Sequence, residues 1–299
     1  MNASVSRISH LVASLAGLLW CLGAAAATPD VALKAAVANP ARDENFVARD
    51  MARHPAEELA FFGIKPSMTV VELWPGEGYW TEILGPYLAK QGTYYVALEP
   101  SKEYNSAWHA RIDAMKSQIG TIHETSLEAG HFDIAPPGSA DLVLTFRNLH
   151  NWMRGGYAEQ ALAACFTALK PGGILGIEEH RGRKDKPQDP KAQDGYVRED
   201  YTIALAKKAG FVLDGSSEIN ANPKDTKDWV GGVWTLPPTL SQGDKDRAKY
   251  IAVGEADNFV LRFRKPLAAA AAAAAIAPAD VPPMLRNLKR GASLSTAPG

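Results

Sequence analysis

Stretches typical of β-strands alternate with amphipathic stretches typical of α-helices along most of this sequence. Strands separated by helices pair in parallel through right-handed crossovers, and helices then cover both faces of the sheet. We therefore predict an α/β fold with a doubly wound, mostly parallel sheet. The last strand has no long helix before it, so we expect it to be antiparallel. The strand-like stretches are TVVELW, TYYVALEP, ADLVLTFRN, GILGIEEHR, FVLDGSSEI and DNFVLRFRKP.

The composition is that of a globular protein. Of the 299 residues, 46% are hydrophobic, and the formal net charge is −1. A nucleic-acid-binding protein usually carries a basic surplus, which this chain lacks. We expect a small molecule as its partner and no nucleic acid, and the oligomeric state stays open.

Residues 1–27 differ from the rest of the chain. Arg7 is their only formal charge, residues 11–22 form an apolar run, and residues 23–27 are small. This pattern is typical of a secretory signal peptide, which we expect to be cleaved after Ala27. We therefore predict a periplasmic or secreted protein with no stable membrane span after cleavage.

Two alternatives to a cleaved signal remain. A membrane anchor needs roughly 20 apolar residues, and the apolar run reaches that length only with its alanine-rich end. Lipid attachment at Cys21 would require a small residue before it, and Trp20 is bulky.

Cleavage would leave Cys165 as the only cysteine, so we expect no internal disulfide. Cys165 lies on the apolar face of a predicted helix. We interpret it as a buried structural thiol rather than a nucleophile.

The mature chain divides into three predicted parts. Residues 28–62 form an N-terminal helical segment, and the mixed charged and apolar pattern of residues 41–63 predicts two short helices separated at Pro55. Residues 63–266 form the α/β domain. Residues 267–299, which are rich in alanine, are predicted to be a disordered tail or an isolated helix.

The connection between the last two strands, residues 214–256, is longer than the roughly 2 to 6 residues typical of α/β units. It contains Trp229, Trp234 and the pair Pro237-Pro238. Both a lid or binding loop and a packed surface flap fit this pattern.

The first strand runs into a glycine-containing loop, VVELWPGEGYWTEIL. Gly76 and Gly78 allow a tight turn and a close approach to a ligand, and the following helix supplies N–H donors for an anionic group. The position of the usual first glycine holds Trp74, followed by Pro75. Proline lacks an N–H and favours an extended preceding residue, so we expect a rigid loop with an extended Trp74.

Glu99 ends the second strand, 21 residues beyond Gly78. A carboxylate at this place accepts hydrogen bonds from ribose hydroxyls. A dinucleotide fingerprint requires a third glycine, and that position holds Thr81. The site therefore favours an adenosine-type cofactor without a pyrophosphate over a nicotinamide dinucleotide.

Four motifs in order, VVELWPGEGYWTEIL, YYVALEPS, ADLVLTFRNLHNW and ALKPGGILGIEEHR, resemble class I S-adenosylmethionine-dependent methyltransferases. This resemblance implies a Rossmann-like, seven-stranded sheet and S-adenosyl-L-methionine as the cofactor. The chain is most similar to predicted bacterial methyltransferases that carry signal peptides. Their pattern includes a leading segment, here residues 49–64, and a trailing segment, here residues 236–257. The resemblance covers residues 40–266.

The resemblance also implies roles for individual residues. Glu72 and the loop with Gly76 and Gly78 would hold the methionine part of the cofactor, and Glu99 would hold the ribose. Residues 146–151 would face the reacting methyl group. An acidic residue near the third strand is also expected in this family, with Glu124 and Ser126 as alternatives. The predicted cofactor-binding residues are Glu72, Trp74, Gly76, Gly78, Glu99, Arg147 and Asn148.

A methyl acceptor that must lose a proton requires a base. His150 in RNLHNW is the first candidate and His180 in EEHR the second, since a neutral imidazole can accept that proton. Either histidine could instead be a structural hydrogen-bonding residue. His123 and His131 lack metal-ligand spacing, so we predict no metal site.

Two functions remain open. The first is a methyltransferase acting on a small molecule. The second is a catalytically silent methyltransferase-like binding module in the cell envelope, for a nucleoside-like or aromatic ligand. Pro75 and the predicted export of the protein favour the second possibility, because S-adenosylmethionine is made in the cytoplasm.

Overall fold

The computed structural model describes residues 28–267, which contain one seven-stranded sheet. Its order is β3-β2-β1-β4-β5-β7-β6. The neighbours from β3 to β5 pair in parallel, whereas β7 pairs antiparallel with both β5 and β6. The predicted mostly parallel sheet with an antiparallel last strand is confirmed. The strands are β1 (Thr69–Leu73), β2 (Thr93–Leu98), β3 (Ile122–Ser126), β4 (Ala140–Phe146), β5 (Leu169–His180), β6 (Val212–Ser217) and β7 (Asn258–Arg264).

Helices cover both faces of this sheet. Successive residues of a strand point to opposite faces, and β1 shows this directly. Val71 and Leu73 belong to one buried apolar cluster, and Val70 belongs to another. The helices are α1 (Val31–Val37), α2 (Glu44–Val47), α3 (Asp50–Arg53), α4 (Pro55–Phe62), α5 (Thr81–Leu88), α6 (Lys102–Met115), α7 (Leu149–Gly155), α8 (Ala158–Ala168), α9 (Glu199–Lys208) and α10 (Arg247–Val253).

The prediction of two helices in residues 41–63 is wrong, because three helices lie there. Asp43 caps α2 by accepting a hydrogen bond from the N–H of Asn45. His54 adopts a left-handed conformation with φ 41° and ends α3. Pro55 then begins α4 at the first helical position, where its missing N–H costs nothing.

The strand β5 begins earlier than the sequence predicts. The strand-like stretch GILGIEEHR begins at Gly173, but α8 ends at Ala168 and β5 starts at Leu169. Lys265 of the segment after β7 stabilises this junction: its Nζ donates to the carbonyls of Phe166 and Leu169 at 2.6 and 2.7 Å. The KPGG motif forms the start of β5, where the pairing with β4 is irregular.

Cys165 lies fully buried in α8, as expected for a structural thiol. Burial raises the pKa of this thiol to about 12, so it is protonated at neutral pH. Within residues 28–267 no helix has the length and apolar character needed to cross a bilayer. The predicted signal peptide and most of the predicted tail lie outside the described residues.

Candidate active site

A cleft of about 570 Å³ lies at the carboxyl ends of the central strands. Its walls include Gly76 after β1, Glu99 after β2, Arg147 after β4 and His180 at the end of β5. The sheet reverses its direction of winding between β1 and β4. Open α/β sheets bind their ligands at this switch point, and the volume is that of a small-molecule site.

The loop after β1 contradicts the expectation of an extended Trp74. Trp74 has φ 51°, in the left-handed region. Its backbone N–H donates to Ala97 at 2.9 Å, and its indole Nε1 donates to the Leu127 carbonyl at 2.8 Å. The indole also packs edge-on against Trp152. These contacts with distant segments outweigh the local preference that Pro75 imposes.

Glu72 lies below this loop and is not part of the cleft wall. Its carboxylate is fully buried and accepts hydrogen bonds from Thr81 and Tyr94. Burial raises the pKa of Glu72 to about 7, against the opposing effect of these hydrogen bonds. In this conformation Glu72 joins β1, β2 and the start of α5, and so supports the loop from beneath.

Glu99 and the glycine loop form the part of the cleft that suits a ribose. Burial raises the pKa of Glu99 to about 7, although a hydrogen bond from the Gly76 backbone opposes this. Gly76 and Gly78 have φ of 58° and 102°, a region in which side chains are strained. A half-buried carboxylate beside a glycine turn fits an adenosine-type cofactor with free ribose hydroxyls.

Arg147 and Asn148 form the turn between β4 and α7 at the edge of the cleft. Asn148 Nδ2 donates to the Leu73 carbonyl at 2.9 Å and so ties this turn to the end of β1. Arg147 has φ 61°, and its N–H donates to the Glu178 carbonyl at 2.7 Å. Both residues line the cleft.

His150 is buried and held by Glu179 of β5. The two oxygens of Glu179 accept hydrogen bonds from His150 Nδ1 at 2.9 Å and from the His150 backbone N–H at 3.0 Å. Burial opposes the ionisation of Glu179, but the interaction with His150 outweighs it and lowers the pKa of this carboxyl. In the neutral form of His150, a ring that donates from Nδ1 to Glu179 has Nε2 as its acceptor.

His180 lies beside His150, with ring centroids 5.4 Å apart. Its Nδ1 is 2.7 Å from Asn258 Oδ1, and Asn258 Nδ2 in turn donates to Glu178 at 3.1 Å. Desolvation lowers the pKa of His180 to about 3. The ring is therefore neutral at neutral pH, with Nε2 as its acceptor nitrogen.

His150, Glu179 and His180 also form a cluster of possible metal ligands, whose ligand atoms all lie within 4.8 Å of one another. Both oxygens of Glu179 already accept hydrogen bonds from N–H groups. The spacing of these residues in the sequence gave no indication of the cluster. The absence of a metal site stays a prediction.

Neither alternative for the acidic residue near the third strand lies in the cleft wall. Glu124 is exposed and pairs with His109 at 3.0 Å. Ser126 ends β3 at the far edge of the sheet. Which of the two, if either, contacts the cofactor stays a prediction.

The structure adds residues that the sequence reasoning missed. Arg49 and Arg147 both bond the carboxylate of Glu255, which joins the leading and trailing segments of the family pattern at one place. Arg53 and Trp80 line the same cleft. Two consecutive glutamates in the apolar strand β5, Glu178 and Glu179, were the one available signal, because buried carboxylates require partners.

The long connection after β6 supplies one wall of the cleft through Trp234 and Pro237-Pro238. It packs around its own apolar cluster, which includes Val233, Leu236 and Tyr250. Trp234 lies edge-on to His150, with centroids 5.9 Å apart. The connection is thus a packed flap that also forms part of the cleft wall.

Comparisons with known proteins agree with this fold. Residues 73–177 match the family model described as a methyltransferase domain. The fold is similar to an S-adenosylmethionine-dependent methyltransferase from Aquifex aeolicus, at 16% identity and a TM-score of 0.51 over 73% of this chain and 93% of that one. It is also similar to a protein from Galdieria sulphuraria assigned as a sarcosine dimethylglycine methyltransferase, at 13% identity and a TM-score of 0.51 over 75% and 87% of the two chains. No curated protein matches the sequence.

The fold is similar to that of solved S-adenosylmethionine-dependent methyltransferases, and residues 73–177 match a methyltransferase domain. These similarities indicate S-adenosylmethionine as the cofactor.

Proposed function

We propose that this protein transfers the methyl group of S-adenosylmethionine to a small-molecule acceptor bound in the cleft. One observation carries the proposal. Glu99 and Gly76 line the same cleft as His150 and His180. Groups suited to cofactor binding and groups suited to proton transfer therefore border a single cleft.

The cofactor end of the cleft requires only binding and orientation from the chain. Bound S-adenosylmethionine supplies an electrophilic methyl group. Glu99 would accept hydrogen bonds from the ribose hydroxyls, and the glycine loop with Gly76 would lie against the cofactor backbone. Fixed orientation of two reactants lowers a bimolecular barrier by several kcal/mol, which makes positioning the main contribution of these residues.

The opposite end of the cleft provides the base. His150 keeps its proton on Nδ1 through Glu179, so Nε2 would accept a proton from the acceptor. Glu179 would stabilise the imidazolium that forms. The neighbouring His180 presents a second neutral ring and would orient the acceptor by accepting a hydrogen bond.

A titration tests the cofactor part of this proposal. We expect S-adenosylhomocysteine to bind the purified chain in a calorimetric titration and NAD not to bind. Incubation with methyl-labelled S-adenosylmethionine and candidate acids, phenols and amines should then give labelled product with one of these classes. The absence of heat with S-adenosylhomocysteine up to millimolar concentration would contradict the proposal.

The alternative of a catalytically silent binding module makes a different prediction. Such a module would bind S-adenosylhomocysteine or a nucleoside but transfer no label to any acceptor. The hydrogen-bonded pair of His150 and Glu179 favours the enzyme, because a purely binding site gains nothing from an oriented base.

A further inference from the structure

Arg53, at the end of α3, is a buried arginine that faces the cleft. Its side chain is only 3% exposed, yet the residue is part of the cleft wall. The guanidinium carbon lies 3.9 Å from the ring centroid of Tyr79 and 5.3 Å from that of Trp80. The guanidinium plane is thus fixed between aromatic side chains and the cleft.

The hydrogen-bonding capacity of Arg53 is not satisfied by the described part of the protein. Its Nε is buried and has no hydrogen-bond partner there. Its ion pair with Glu178 is 3.8 Å long, beyond hydrogen-bond distance. A buried guanidinium that lacks charged hydrogen bonds is costly, and an anion bound in the cleft would remove this cost.

The neighbouring arginines have their own carboxylate partner. Arg49 and Arg147 share the carboxylate of Glu255, whereas Arg53 has only the 3.8 Å ion pair with Glu178. Burial and the neighbouring Glu178 raise the pKa of the nearby Glu58 carboxyl, which disfavours its charged form.

Arg53 nevertheless stays charged. Burial and the neighbouring Arg147 lower its pKa to about 10, which is still above neutral pH. A bound anion would offset both unfavourable effects. Because the guanidinium is a planar fork, it matches the two oxygens of a carboxylate.

The apolar part of this wall suits a planar ligand. Trp80 and Phe146 stack with ring centroids 3.9 Å apart and an interplanar angle of 17°, and both line the cleft. Trp74 and Trp234 contribute further aromatic surface. Aromatic ligands gain stacking or edge contacts on such walls.

Arg53 is also connected to the proposed catalytic histidines. Glu178 Oε1 accepts a hydrogen bond from Asn258 Nδ2 at 3.1 Å, and Asn258 Oδ1 is bonded to His180 Nδ1 at 2.7 Å. Hydrogen bonds thus join Glu178 to His180 on the β5 side of the cleft, and Arg53 contacts Glu178 through the longer ion pair. Glu99 lies after β2, on the other side of β1.

We propose that Arg53 binds the carboxylate of a planar aromatic methyl acceptor and orients it towards His150 and His180. The assignment of this ligand as the methyl acceptor rests on the proposed function, whereas the carboxylate site itself does not. The inference identifies the substrate class as aromatic carboxylic acids that carry a further group to be methylated.

Benzoate and its neutral analogue benzamide test this inference in the full chain. With S-adenosylhomocysteine saturating, benzoate should bind at least tenfold more tightly than benzamide. Arg53→Gln should weaken benzoate binding at least tenfold and change the affinities for benzamide and S-adenosylhomocysteine by less than twofold. The control is Arg183→Gln, because Arg183 is an exposed arginine paired with Asp185 outside the cleft.

The outcomes separate the two proposals. Equal affinities for benzoate and benzamide in the unaltered protein would overturn the inference, and this comparison stands even if Arg53→Gln does not fold. Loss of S-adenosylhomocysteine affinity in Arg53→Gln would assign Arg53 to the cofactor carboxylate and also overturn it. If the protein binds benzoate through Arg53 but not S-adenosylhomocysteine, the carboxylate site stands and the proposed function fails.

Discussion

Glu179 accepts both the Nδ1 proton and the backbone N–H of His150, at 2.9 and 3.0 Å. This bidentate contact fixes the ring in position and selects one tautomer. A carboxylate with this role is a positioning residue, because it acts on the reaction only through the imidazole.

Glu179→Gln should disturb the tautomer of His150. The glutamine amide has one acceptor oxygen, so it cannot replace both carboxylate oxygens, and one buried N–H loses its partner at a cost of about 1–3 kcal/mol. We expect the Nδ1–H signal of His150 in long-range ¹H–¹⁵N NMR spectra to weaken in favour of the Nε2–H tautomer. Glu159→Gln is the control, since Glu159 is exposed and pairs with Lys208. An unchanged spectrum would show that Glu179 does not set the tautomer of His150.

His150→Gln should lower kcat with an acidic or phenolic acceptor by about 10²- to 10⁴-fold, the usual contribution of a general base. Because His150 lies away from Glu99, S-adenosylhomocysteine affinity should change by less than twofold. Steady-state kinetics and calorimetry on the same preparation check both values. Equal losses in kcat and cofactor affinity would indicate a structural role instead.

Sequence patterns predicted the sheet and the glycine loop because these features depend on local periodicity. Gly76, Glu99 and His180 were placed at strand ends, and parallel strand ends meet at one edge of a sheet. Trp74 was predicted wrongly because its conformation is set by Leu127 and Trp152, which are distant in the sequence.

The sequence did not indicate some residues of the cleft for the same reason. Arg53 reaches the cleft from the N-terminal helices, and no local pattern shows that its side chain meets Tyr79 and Glu178. No local pattern indicated the environment of Glu72 either, since its hydrogen bond with Tyr94 comes from the neighbouring strand. Contacts between remote segments decide these roles.

Glu99 should make cofactor binding dependent on pH. Its pKa of about 7 in the free protein means that the carboxylate, the form that accepts two hydroxyl hydrogen bonds, predominates only above that pH. We expect S-adenosylhomocysteine affinity to rise by about tenfold between pH 6 and pH 8.

Glu99→Gln is the matched control for this titration, because glutamine keeps the shape of the side chain but does not ionise. The affinity of this variant should not change between pH 6 and pH 8, and at pH 8 it should be lower than that of the unaltered protein by about 10- to 150-fold, equivalent to one charged hydrogen bond of about 1.5–3 kcal/mol. A wild-type affinity that does not vary with pH would show that Glu99 does not bind the ribose.

Glu72→Gln should stabilise the protein at alkaline pH. The folded-state pKa of Glu72, about 7, lies above its ordinary value of 4.5. Below pH 4.5 the carboxyl is protonated in both states and imposes no penalty. As the pH rises from 4.5 to 7 the unfolded state loses this proton first, so the free energy of unfolding falls and the full penalty applies above pH 7.

Glutamine at this position can still accept the hydrogen bonds of Thr81 and Tyr94 but carries no charge to bury. Urea unfolding at pH 8 should therefore give Glu72→Gln a free energy of unfolding higher than that of the unaltered protein by about 1–3 kcal/mol. At pH 4.5 the difference should vanish. A difference that is the same at both pH values would show that folding does not raise the pKa of the Glu72 carboxyl.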